Sequence, residues 1–238
     1  MHRQGIVSKD FQTAFSLIRE NEHINLAGVC SHLASSDSSN KEFTEKQIKL
    51  WNDSALLWKK EFPSIAYFHL SNTAGSSYSE DTVSNILRLG IGLYGIDPSE
   101  DGRFPNLKPA LEMKSVISGT KVIKNGESIG YGSTFTTSKE TRIATIPAGY
   151  YEGVDRRLSN IGFVKIGNVF CPIVGRVSMN ITTIDVTNVP EARLNTPVTL
   201  ISSNPSDKNS FANNAKLAGT IPYELAVHIP QGLRRKVV

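Results

Sequence analysis

The stretch "LKPALEMKS", residues 107–115, divides the chain between two hydrophobic rhythms, and the fold is read outward from it. On its N-terminal side apolar residues recur at helical spacing. Phe11, Ala14, Phe15 and Ile18 fall on one face of a helix that Ser8 is placed to cap, and Ile48, Trp51, Ala55, Trp58 and Phe62 fall on another, entered through a capping box of Ser39 and Glu42. Around these helices lie short apolar runs, "INLAGVCSH" (24–32), "IAYFHLSN" (65–72) and "LRLGIGLYG" (87–95), each ending in polar residues or glycine. Helix and strand in alternation predict βαβ units on a parallel sheet, here three strands with two flanking helices.

On the C-terminal side the helical stripes give way to short segments rich in Val, Ile and Thr. They are divided by "KNGES" (124–128), "PAGYYEG" (147–153), "KIGN" (165–168) and "TNVPEARLNTP" (187–197), and a single late helix is expected in "SFANNAKLAG" (210–219). That pattern predicts an all-β domain with hairpin turns. The boundary falls in "PSEDGRFPN" (98–106), giving domains over 1–100 and 101–238. Three parallel strands leave sheet faces and edges uncovered, so further chain is expected upstream of Met1.

Composition narrows the classes of function. A chain of 238 residues with 39% hydrophobic content can bury a core. Its net charge of +4 and pI near 9.0 come from Lys and Arg interspersed with acids, which is not the basic stripe of a nucleic-acid binder. No run reaches the roughly 18 apolar residues of a membrane span, and no secretory signal opens the chain, so no membrane partner and a cytoplasmic location are expected. Cys30 and Cys171 lie in apolar runs and read as reduced, buried thiols; no metal-ligand spacing is present.

The polar groups that carry chemistry stand where the predicted strands end: Arg3, His32, Asn72, Thr73, Arg88 and Gly90. In a parallel α/β barrel such ends gather the functional side chains, with phosphate held by the loops after the last strands. Thr73 offers a hydroxyl beside N–H donors at a helix start, and Gly90 allows a close backbone approach.

The ordered set "MHRQG", "SHLASSD", "SNTAG", "RLGIGLYG", "IGYGSTF", "IPAGYYEGVDRR", "PIVGRVSMN" and "TIPYEL" resembles the alanine racemases, which depend on pyridoxal 5′-phosphate (PLP). The resemblance implies an α/β plus all-β architecture: the last strands of a (β/α)8 TIM barrel followed by a C-terminal β domain. It further implies PLP as cofactor and L- and D-alanine as substrates, with D-alanine feeding cell-wall peptidoglycan precursors. Tyr131 matches the catalytic base on the L-face of the substrate. Arg3 and the backbone of Met179 match substrate-binding positions. His32 matches the imidazole packed on the cofactor ring, and Arg88 the guanidinium at its pyridine nitrogen. Thr73, Gly90, Ile91 and Tyr223 match phosphate contacts, and Asp37, Tyr150, Arg156 and Arg176 match the substrate corridor.

The resemblance also implies a head-to-tail homodimer in which Tyr131 and Met179 reach the partner's barrel, with His32 and Arg88 as candidates for tuning the Tyr131 phenol. The Schiff-base lysine lies in the family within a "KADAYG"-like motif that this sequence does not contain. Four strands and the start of a fifth are therefore expected before Met1, the isolated chain is expected to be inactive, and pairing with a full-length copy or an N-terminal half is an alternative to the homodimer.

Three segments depart from the common pattern: "GYYEG" for "GYADG", "SMN" for "CMD" and "GLRRKVV" for an "RVPR"-like tail; Thr73 stands for the usual Ser. By residue type alone His32 reads as a satisfied core histidine, Arg88 as a strand-end salt bridge, Tyr131 as a packing anchor, Tyr223 as a capped core aromatic, and the corridor set as surface ion pairs. A non-catalytic dimerisation or interaction module of the same descent, and a racemase of another amino acid such as serine or lysine, are the competing functions.

Overall fold

A computed structural model describes residues 1–237. The chain divides into two compact units, Met1–Leu107 and the residues from Lys108 onward. No helix among the described residues is long and apolar enough to cross a membrane.

In the first unit α1 (Phe11–Arg19), β1 (Gly28–Cys30), α2 (Glu42–Glu61) and β2 (Tyr67–His69) follow one another, and β1 pairs parallel with β2 in the register Gly28↔Tyr67 to Cys30↔His69. The predicted apolar stripes are the core. Phe15, Ile48, Trp51, Ala55, Trp58 and Phe68 are buried together. Phe15 meets Trp58 edge-on at 4.7 Å, a geometry that adds to the burial of both rings. Arg19 pairs with Glu61 and lies over Phe62, tying the two helices at their ends.

Both predicted helix starts are corrected. Ser8 does not cap α1; it opens a short 3-10 turn, Ser8–Asp10, that runs into the helix without a side-chain cap. The Ser39–Glu42 box does not form either. The Glu42 N–H donates to Asn40 Oδ1 at 3.1 Å, while the Ser39 N–H and hydroxyl donate to the Glu100 carboxylate. Glu100 is distant in sequence, so a local motif could not anticipate it.

The third predicted strand is also absent. Residues 87–90 are irregular and Ile91–Tyr94 form a 3-10 turn. The reason is Asn85. Its N–H donates to Phe68 O at 3.0 Å, its Oδ1 accepts from Phe68 N–H at 2.9 Å, and its Nδ2 donates to Ala66 O at 2.7 Å. One residue thus satisfies the edge of β2 that a strand would have paired. Cys30 is exposed rather than buried: Val29 packs against the core, and the alternation of a strand turns its neighbour to the other face.

In the second unit β4 (Gly119–Ile123), β7 (Thr141–Ile146) and β10 (Thr182–Asp185) form one antiparallel sheet, in the order β10-β7-β4. A second runs β3-β11-β8-β9, from Met113–Val116, Pro197–Ile201, Phe163–Ile166 and Val169–Pro172. The short strands β5 (Ser128–Ile129) and β6 (Phe135–Thr136) pair separately. Ile117, Ile146, Val164, Val177, Ile184 and Val198 fill the core.

The "KIGN" turn closes a two-residue hairpin between β8 and β9 with Gly167 at φ 55°, as its Gly predicts. "TNVPEARLNTP" instead carries the chain from one sheet to the other. The single late helix is corrected to two, α3 (Phe211–Ala218) and α4 (Pro222–Val227). Gly219 ends the first in the left-handed conformation and Pro222 opens the second.

Candidate functional site

The first unit gathers its polar groups beyond the C-terminal ends of β1 and β2. Arg88 is the hub. Its Nη2 donates to Ser31 O at 2.7 Å and Leu70 O at 2.9 Å, and its Nη1 donates to His69 O at 3.0 Å. The planar fork of a guanidinium suits such a set of carbonyls, where an ammonium would not. No carboxylate among the described residues pairs with Arg88, so the strand-end salt bridge is not what forms. The cluster keeps an uncompensated positive charge.

Two imidazoles meet this charge through their lone pairs. His32 Nδ1 lies 3.0 Å from Arg88 Nη2, and His69 Nδ1 contacts Nη1. A guanidinium has no acceptor, so both rings face it as neutral tautomers with the proton on Nε2. Burial and the Arg88 charge hold both below the ordinary histidine range, and the Arg3 charge lowers His32 further. Arg3 itself is exposed. On its other side the His32 Nε2–H lies 3.5 Å from the Asn72 Nδ2 amide, two donors in contact without a hydrogen bond, while Asn72 Oδ1 accepts from Gly75 N–H and the Ser36 hydroxyl. His69 is a member of the cluster that the sequence reading missed; like His32, it stands where a strand ends.

Thr73 and Gly90, remote in sequence, are brought into contact. The Thr73 hydroxyl oxygen accepts from Gly90 N–H at 3.0 Å and Gly92 N–H at 3.3 Å, seating the Ile91–Tyr94 turn on the start of the 3-10 segment Ala74–Asp81. A Cβ at Gly92 would stand 2.8 Å from Thr73 Cγ2, so the approach requires glycine. Ile91 is buried, and beside the loop the Ser71 hydroxyl is buried without a partner among the described residues. Asp37 is exposed, its backbone carbonyl accepting from Glu100 N–H.

The second unit brings its candidate residues together in stitched pairs. Tyr131 sits in a turn where Gly130, Gly132 and Ser133 all have positive φ, and it is 72% exposed, which removes the packing-anchor reading. Gly132 rests against the Arg176 guanidinium, where a Cβ would come within 3.2 Å of Nη1. Asn160 holds the two loops together, accepting from Gly175 N–H at 2.6 Å and donating to Thr134 Oγ1 at 3.1 Å.

Tyr150 and Met179 form the next pair. Tyr150 N–H donates to Ser178 O at 3.0 Å and Tyr151 N–H to Met179 O at 2.9 Å. Glu152 Oε2 accepts from Gly149 N–H at 2.8 Å, and its Oε1 accepts from Asn180 Nδ2 at 2.7 Å. The departures "GYYEG" and "SMN" are therefore in direct contact.

Arg156, exposed, lies beside Arg157, whose guanidinium bonds Asp155 and reaches Glu224 on α4 at 3.1 Å. That bond holds the Asp155 carboxyl below the usual range, and hydrogen bonds from Thr220 and Arg157 do the same for Glu224. Tyr223, the residue before Glu224 on α4, is 37% exposed rather than a core aromatic.

Comparison with known proteins follows the same division. Residues 1–98 match the family model described as alanine racemase, N-terminal domain, and residues 110–237 match alanine racemase, C-terminal domain. An alanine racemase of Lactobacillus gasseri is 37% identical over 235 residues, covering 95% of this chain and 60% of that protein. The crystal structure of a biosynthetic alanine racemase from Pseudomonas aeruginosa superposes with a TM-score of 0.86 at 28% identity, covering 99% of this chain and 64% of the other. That of an alanine racemase from Bartonella henselae with covalently bound pyridoxal phosphate gives a TM-score of 0.81 at 26% identity, covering 97% and 62%. The chain thus spans about 60% of the length of the curated relatives it matches.

Proposed function

The chain belongs to the alanine racemase family, and from that premise we propose that it works in the PLP-dependent interconversion of L- and D-alanine that supplies peptidoglycan precursors in the cytoplasm. The observation that carries this reading is the cluster beyond β1 and β2: an uncompensated Arg88 held by three carbonyls, two neutral imidazoles, and the Thr73 hydroxyl seated against Gly90. A positive, carboxylate-free site built on backbone fits an anionic aromatic cofactor. When bound, PLP supplies an electron sink that makes the α C–H of an amino acid acidic.

The chain's own residues then take these roles. Thr73, Gly90, Ile91 and Tyr223 hold phosphate, with the close Thr73–Gly90 contact supporting this assignment. Arg88 would donate a hydrogen bond to the pyridine nitrogen and, as a guanidinium, would keep its proton there. His32, neutral, would pack against the cofactor ring. Arg3 and the Met179 backbone orient the substrate carboxylate. Tyr131 moves the α proton on the L-face. Asp37, Tyr150, Arg156 and Arg176 line the corridor by which alanine arrives. Tyr131 and Met179 are each more than half exposed, which supports a homodimer in which these residues serve the partner subunit.

The test is D-alanine formation from L-alanine by the purified protein with PLP, alone and with the lysine-bearing segment of a relative supplied in trans. Racemisation that the segment restores and Arg88→Ala removes is expected. No D-alanine in any combination, together with no PLP binding, would sink the reading.

A further inference from the structure

We propose that Glu152 is a positioning residue that sets the Met179 loop through Asn180. This rests on the racemase reading above and deepens it, naming what orients the substrate contact.

Glu152 closes the 3-10 turn Tyr150–Glu152 and spends its two carboxylate oxygens in different directions. Oε2 accepts the N–H of Gly149 at 2.8 Å, locking the turn on itself, and Oε1 accepts Nδ2 of Asn180 at 2.7 Å, in the loop that carries Met179. Between these bonds, Tyr150 and Tyr151 donate to the carbonyls of Ser178 and Met179 at 3.0 and 2.9 Å. The loop is closed on its far side by Ser178 N–H to Ile181 O at 2.9 Å, and below it the Thr182 hydroxyl donates to Ala148 O at 2.7 Å. Met179 is thus gripped through its own carbonyl and through the side chain of its neighbour, while its side chain stays exposed.

The identity of residue 180 follows from this. Gly149 N–H occupies Oε2, and Oε1, a carboxylate oxygen, can only accept, so the residue opposite must be a donor. Asparagine supplies one without adding charge, whereas an aspartate at 180 would set a carboxylate against the Glu152 Oε1 that it meets here. The two departures, Glu for Asp in "GYYEG" and Asn for Asp in "SMN", meet in this one hydrogen bond. Their effect belongs in substrate binding, since Glu152 touches the loop and is not assigned to the reacting atoms.

Asn180→Asp tests the pairing, and Glu152→Gln in the same chain inverts its polarity. In the double variant the carboxamide oxygen introduced at position 152 still accepts Gly149 N–H, and the amide nitrogen beside it donates to the carboxylate introduced at position 180. Asn180→Asp is expected to raise the KM for alanine roughly tenfold with kcat changed less than about twofold, and to speed exchange of the Tyr150 and Tyr151 amides roughly tenfold. The double variant should return both quantities to within about threefold of wild type, recovering one charge-assisted hydrogen bond.

A double variant no better than Asn180→Asp, or Asn180→Asp with wild-type exchange at Tyr151, overturns the proposal, as does exchange that responds while KM does not. Kinetics are read on the chain with PLP and the lysine-bearing segment in trans, and failure of wild type to racemise alanine in that combination would instead sink the reading beneath it. Exchange, measured on the same chain without substrate, then still decides whether Glu152 holds the loop.

Discussion

Replacing Gly149 by alanine isolates a single steric term. The backbone there, at φ −140° and ψ −153°, is open to any residue, so the variant carries no conformational penalty. A Cβ at this position would lie 2.1 Å from the Ser178 carbonyl oxygen and 2.4 Å from that of Met179. Ordinary C···O contacts begin near ~3.3 Å, so the loop must retreat by about 1 Å. Retreat breaks the hydrogen bonds from Tyr150 and Tyr151, worth about 1 kcal/mol each, and the crowding that remains costs about 1–3 kcal/mol more. The second unit should therefore lose about 3–5 kcal/mol.

The assay separates the units by their chromophores. The chain's 2 tryptophans, Trp51 and Trp58, both lie in the first unit, so their fluorescence follows that unit, while far-UV circular dichroism also follows the second. In urea, the dichroism transition of Gly149→Ala should move to lower denaturant while the fluorescence transition stays in place. Gly126→Ala serves as the comparison: Gly126 has φ 84° and nothing within 4 Å, so it bears only the left-handed backbone cost of about 1–2 kcal/mol. A Gly149→Ala chain within about 0.5 kcal/mol of wild type would refute the steric reasoning.

Thr73→Val removes the acceptor for Gly90 and Gly92 and should cost the first unit about 2 kcal/mol by tryptophan-monitored unfolding, with Thr73→Ser costing well under half of that. His32 and His69 are lowered by burial and then by Arg88, so the unfolded chain binds more protons as pH falls; first-unit stability is complete above about pH 6.5 and declines below it. Arg88→Gln should flatten that decline in part, and a first unit that gains stability on acidification would contradict the assignment. A thiol-reactive aromatic disulfide should label Cys30 in the native protein, whereas Cys171, buried and pushed up to about 11, should react only on unfolding. Arg157→Ala should raise the titration of Asp155 and Glu224 towards ordinary carboxylates in NMR and speed amide exchange across Pro222–Val227, since the guanidinium joins α4 to the Asp155 turn.

What was legible in the sequence was whatever repeats at the period of an element. Phe15, Trp51, Ala55 and Trp58 declared their helical faces and are buried on them, and the change of rhythm at 107–115 marks the passage from helix-rich to strand-rich chain. The helix expected over 210–219 ends at Gly219 as its glycine implies, and Pro222 is the start signal for α4 that a single late helix leaves unused. The misses came from bonds between residues remote in sequence. Glu100 takes the serine meant for a cap, and Asn85 takes the edge meant for a third strand. In the first unit's cluster Arg88, His32 and Thr73 could be named from motifs, as could Tyr131 in the second unit. His69 and Glu152 could not, because their partners at Arg88 and Asn180 are set by tertiary placement alone.

Asn85 also bears on how tolerance to mutation should be interpreted. It is a surface residue with no assigned chemistry, yet it offers β2 a donor, an acceptor and a backbone N–H at once. Among short side chains only a carboxamide presents that combination; aspartate would aim a negative oxygen at the Ala66 carbonyl, and glutamine adds a methylene that moves the group out of register. A deep substitution scan would thus colour this exposed position as unforgiving as the interior, and a map that equates surface intolerance with ligand contact would mistake a piece of substitute backbone for a binding residue.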